Sequence, residues 1–67
     1  MTTVDAKSAF LEGAAVTYNR TNYLCISALI YRKRKKEITV SLELLDKSGN
    51  SVTIAEPRRV ERTEAAQ

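Results

Sequence analysis

Between residues 38 and 44 the chain alternates strictly: Ile38, Val40, Leu42 and Leu44 are apolar, and Thr39, Ser41 and Glu43 separate them. A two-residue period is that of a β-strand burying one face, so the pattern predicts Ile38, Val40, Leu42 and Leu44 inward. Residues 23–33, YLCISALIYRK, make a longer β-type run. Strict alternation there puts Leu24, Ile26, Ala28 and Ile30 on one face and Tyr23, Cys25, Leu29 and Tyr31 on the other. Both faces are largely apolar, as expected of a strand that bends and passes from one sheet to another. AAVTYN (14–19) reads as a short strand before it, joined by a four-residue turn, NRTN, at 19–22. After the 38–45 strand, residues 46–49 form a tight turn with Gly49 in a left-handed conformation, leading into SVTIA with Val52 and Ile54 inward. Pro57 has no backbone donor and a fixed φ, so EPRR interrupts the ladder for one turn before a closing strand, VERT, that begins at Val60. Residues 64–67 are expected to be a tail.

Residues 1–12 lack a clear period. Asp5 is placed to cap a short helix through Ala6, Ala9 and Phe10, with Gly13 as its stop. A disordered, loosely attached lead-in is the alternative.

Four to five short antiparallel strands with a one-turn break before the last predict an all-β domain over residues 13–63, closed as a small barrel that hides its strand edges. The stretch LELLDKSGNSVTIAEPRRVE (42–61) carries the order strand, tight turn, strand, single turn at Pro57, last strand. In that order the chain resembles the SH3-like barrels, which include SH3, Tudor and KOW domains. It also resembles short bacterial proteins of mobile-element type. The likeness implies a fold and no activity. Asn19 to Asn22 stand where KOW domains have a glycine, and the acidic loop, paired tryptophan and ALYDY-type opening with which SH3 domains take proline-rich ligands are absent. At 67 residues the chain is near the lower limit for folding alone, so self-association would be a natural supplement.

The charge is unevenly spread. Net charge is +3, but Arg32, Lys33, Arg34, Lys35 and Lys36 hold five of the eleven basic residues, so the other six face eight acids and the rest of the chain is net −2. The run is therefore a local positive lobe on a mildly acidic body. No apolar run approaches the roughly 20 residues that span a bilayer, and MTTVDAKSAF is not a secretion signal, lacking a basic start followed by an apolar core. The single cysteine, Cys25, cannot form an internal disulfide and agrees with a reducing compartment, giving a cytoplasmic expectation.

No histidine, glycine-rich phosphate loop or metal-ligand cluster is present, so the expectation is a non-catalytic domain with no cofactor and no metal, unless several copies build a shared pore. Cys25, between Leu24 and Ile26, reads as a small core residue rather than a reactive thiol. Tyr18 and Tyr23 flank the first turn and are expected to pair across it. In a functional role they would join Tyr31 as a stacking platform or an aromatic cage, although a straight strand would hold Tyr23 and Tyr31 about 26 Å apart at roughly 3.3 Å per residue.

The basic run lies between the two strongest strands, at a hairpin tip. There it guards against edge-to-edge aggregation, yet two or three charges would suffice for that. If the strands extend into it, Arg32, Arg34 and Lys36 share one side and Lys33 and Lys35 the other. A protruding basic ribbon can enter a nucleic-acid groove or track phosphates, and Arg58, Arg59 and Arg62 would extend the patch. Nothing resembles a base-reading code, so DNA or RNA would be held mainly by its backbone. The alternative is a protein-protein or assembly module, as an adaptor or a homo-oligomer.

Overall fold

The computed structural model describes residues 1–63, so the expected tail at 64–67 lies outside the described residues. One helix, α1 (Thr3–Glu12), precedes six strands: β1 (Val16–Tyr18), β2 (Thr21–Tyr23), β3 (Cys25–Arg34), β4 (Glu37–Leu45), β5 (Val52–Ala55) and β6 (Val60–Arg62). A 3₁₀ turn, Pro57–Arg59, separates the last two strands.

The helix forms because both of its ends are closed. Thr2, not Asp5, is the N-cap: the Asp5 amide donates to Thr2 Oγ1 at 3.1 Å, and the Thr2 amide donates back to Asp5 Oδ2 at 3.4 Å. At the other end Gly13 takes φ 71°, its amide donating to Phe10 O at 3.2 Å, while the Ala14 amide donates to Ala9 O at 3.0 Å. Ala6 and Ala9 are fully buried against Val16, Ile26, Leu42, Leu44, Ala55 and Val60, so the helix belongs to the core and does not hang loosely from it.

The strands form two three-stranded antiparallel sheets, in the orders β2-β1-β6 and β3-β4-β5, and no closed barrel. β5 pairs with β4 and β6 pairs with β1, and the 3₁₀ turn stands between β5 and β6, so these two strands share no ladder. The long run at 23–33 does pass from one sheet to the other. It does so by splitting at Leu24, whose amide donates to Leu45 O at 2.8 Å.

Three facing assignments differ from strict alternation. The first turn is two residues long, Asn19 and Arg20, both at positive φ (52° and 65°), a type I′ arrangement that matches strand twist. Tyr18 therefore faces Thr21 and Tyr23 faces Val16, and the two tyrosines are diagonal neighbours rather than a direct pair. In β3, Ser27 is surplus to the ladder: Ile26 pairs with Leu44 and Ala28 with Glu43, a β-bulge that shifts the phase. Ile26 thus shares the inner face with Leu29 and Tyr31, not with Ala28 and Ile30. In β5, Thr53 and Ala55 lie opposite Leu44 and Leu42 on the core side, so Val52 and Ile54 point outward, 49% and 53% exposed.

Candidate nucleic-acid interface

β4 is nine residues long and β5 only four, and the length difference builds the site. β5 covers Leu42 to Leu45, so residues 37–41 of β4 pair with β3 alone. Beyond the pair Leu29–Leu42 the hairpin continues through Ile30–Ser41, Tyr31–Val40, Arg32–Thr39, Lys33–Ile38 and Arg34–Glu37. At roughly 3.3 Å per residue these five pairs make an arm about 17 Å long. The molecule is accordingly elongated, 44 × 23 × 21 Å.

The arm's turn is Lys35-Lys36, with Lys35 at φ 52°. Arg32 and Arg34 share one face with Thr39 and Glu37, as alternation required. Lys33 lies on the opposite face, and Lys35 and Lys36 belong to the turn rather than to either face. All five cations are exposed, and none makes an ion pair among the described residues. Five like charges within so short a segment repel one another and make the tip a concentrated positive lobe.

Arg58, Arg59 and Arg62 were expected to continue this patch, but each is placed elsewhere. Arg58 Nε donates to Glu56 Oε2 at 2.9 Å, and with Arg59, Tyr18, Asn19 and Glu61 it lines a separate shallow cleft. Arg62 is bound to Glu12 through both terminal nitrogens, Nη1 to Oε1 at 2.9 Å and Nη2 to Oε2 at 3.2 Å. That pairing holds the Glu12 carboxyl below its ordinary value, with the Ser8 hydroxyl adding to the effect.

Of the three tyrosines, Tyr18 and Tyr23 both pack against the core, Tyr23 with its hydroxyl 3.4 Å from Thr53 Oγ1 and Tyr18 also lining the cleft beside Arg58 and Arg59, whereas Tyr31 stands apart on the arm, 58% exposed. Cys25 is a free, half-buried residue at the start of β3.

Ile38 keeps the face that alternation gives it but is not buried. It is 66% exposed, opposite Lys33 near the tip, because the inward face of β4 runs out of protein to cover it beyond Val40. Counting back from the two-residue turn at 35–36 pairs Lys33 with Ile38, close to the tip, and alternation alone does not fix where in the basic run that turn falls. Among the described residues no group of His, Cys, Asp and Glu is placed to hold a metal, and no helix is long and apolar enough to cross a membrane. Comparison with protein-family models, with curated proteins and with solved structures gives no match.

Proposed function

We propose that this chain is a small non-catalytic domain that binds nucleic acid weakly through the phosphate backbone, using the β3–β4 arm. The observation that carries this reading is the placement of Arg32, Lys33, Arg34, Lys35 and Lys36. They are exposed, without carboxylate partners among the described residues, on a two-stranded ribbon that extends past the third strand of its sheet. A ribbon of that width fits the major groove, about 12 Å across, and also a single strand laid along it. The sequence of β4, loop, β5, 3₁₀ turn and β6 supports an SH3-like relationship for the fold.

The experiment is a titration of labelled nucleic acid at several salt concentrations. If all five cations neutralise phosphates on duplex DNA, log K falls with log salt at a slope near −4.5, about −0.9 per contact. In the triple variant Lys33→Ser, Arg34→Ser, Lys35→Ser the slope falls to about −1.8 by the same rule. Absence of binding at low salt, or a slope the triple variant leaves unchanged, overturns the proposal.

A second reading, an assembly module, is favoured by Val52 and Ile54. Both point outward from the β3-β4-β5 sheet beside the half-buried Leu45. Light scattering across a concentration series tests it, and a strict monomer counts against it.

A further inference from the structure

The two faces of the arm differ in chemistry. One carries Arg32 and Arg34 with Thr39 and Glu37. The other carries Tyr31 and Val40 on one rung and Lys33 and Ile38 on the next, so Tyr31 and Ile38 are diagonal neighbours on one surface, 58% and 66% exposed. Contacts to phosphate alone give no reason for an aromatic ring and a branched aliphatic side chain to stand in water beside Lys33. A partner that presents flat apolar surfaces together with regularly spaced negative charge does.

From this we infer that the arm's ligand is unpaired nucleic acid, a base stacking on Tyr31 against Ile38 and Val40 while Lys33, Lys35 and Lys36 hold the adjoining phosphates. The inference rests on the proposed function and narrows it to a substrate class. Base faces are open to a side chain only where bases are unstacked, so Tyr31 distinguishes a single strand from a duplex, whereas the cations do not. A second copy of the arm is a poor occupant, since it would bring five more positive charges against this tip. An acidic peptide offers charge and apolar side chains but no planar group at each charge.

The test measures binding of the full chain to a labelled single-stranded oligodeoxynucleotide, to a duplex of the same length and to an acidic peptide with interspersed leucines, all at one low salt concentration. Tyr31→Ala is expected to weaken single-strand binding by roughly 5- to 150-fold, the range that loss of one stacked base implies, and to leave duplex binding within about twofold. Tyr31→Phe, which keeps the ring, is expected to bind like the parent chain. If Tyr31→Ala weakens single strand and duplex equally, or weakens neither, the stacking inference is overturned while the backbone reading stands. Tighter binding of the acidic peptide than of the single strand overturns it in favour of a protein partner. If the parent chain binds none of the three, the proposed function itself fails.

Discussion

Arg62 clasps Glu12 across fifty positions of sequence, with Nη1–Oε1 2.9 Å and Nη2–Oε2 3.2 Å. Glu12 occupies the last turn of α1, where backbone carbonyls already carry partial negative charge and the helix supplies no basic residue of its own. A guanidinium from β6 provides the missing cation and fastens the helix end to the closing strand.

A pH dependence follows with a definite sign. The Arg62 hydrogen bonds, then the Ser8 hydroxyl, lower the Glu12 pKa from 4.5, and Ser48 lowers that of Asp46 from 3.8 through its hydroxyl and its amide. A carboxylate with a depressed folded-state pKa stabilises the fold above its unfolded value and loses that contribution as pH falls through the folded one. Thermal midpoints followed by circular dichroism are therefore expected to be flat above about pH 6 and to drop below about pH 4.5. Glu12→Gln should flatten part of the drop. Both carboxylates are exposed, so added salt should shrink the difference.

Leu42 and Ile38 belong to the same alternating face of one strand and are expected to behave oppositely. Leu42 is fully buried, so Leu42→Ala should cost about 2–5 kcal/mol in urea denaturation, enough to unfold a chain this small. Ile38→Ala, on the uncovered arm, should change stability by no more than about 0.5 kcal/mol. Equal losses at the two positions would mean that the arm is packed against something.

Gly13 separates dihedral strain from crowding. Its φ is 71°, and a Cβ built there meets nothing within 4 Å. Gly13→Ala is thus expected to cost about 1 kcal/mol through the left-handed conformation alone. Gly13→Asn should cost less, because asparagine tolerates that region.

Local signals carried what the sequence showed of this fold. The helix stop at Gly13, the β4 strand and the turn at Pro57 each depend on a few adjacent residues, and they stand where the pattern put them. The run Arg32 to Lys36 at a hairpin tip was equally legible. What alternation could not supply was parity between distant segments. A loop at 46–51 sets which side of β5 meets Leu42, so Thr53 and Ala55 face the core although Val52 and Ile54 are more apolar. The Glu12–Arg62 clasp was out of reach for the same reason: two separate elements must dock before the charges meet, and no spacing along the chain announces it.

Ser27 offers a direct test of parity. It is the surplus residue between Ile26 and Ala28, and its hydroxyl donates to the Glu43 carboxylate at 2.7 Å. Deleting Ser27 should preserve every pair from Ala28–Glu43 to Arg34–Glu37, seen as cross-strand contacts by NMR, and remove only the bend and its hydrogen bonds. Deleting Ile30 should instead set Leu29 opposite Ser41 or tear the arm's pairing, with loss of a cooperative transition.

A two-stranded ribbon without a third strand or a packed face is marginally stable in water, so the arm should open far more often than the body unfolds. The five residues that open with it are each a cleavage point for trypsin. The native chain should therefore be nicked first between Arg32 and Lys36 while α1 and the core stay whole, and any polyanion seated on the arm should slow that cut. Protease resistance at one hairpin, followed by mass spectrometry, becomes a gauge of occupancy that needs no label and no knowledge of the ligand.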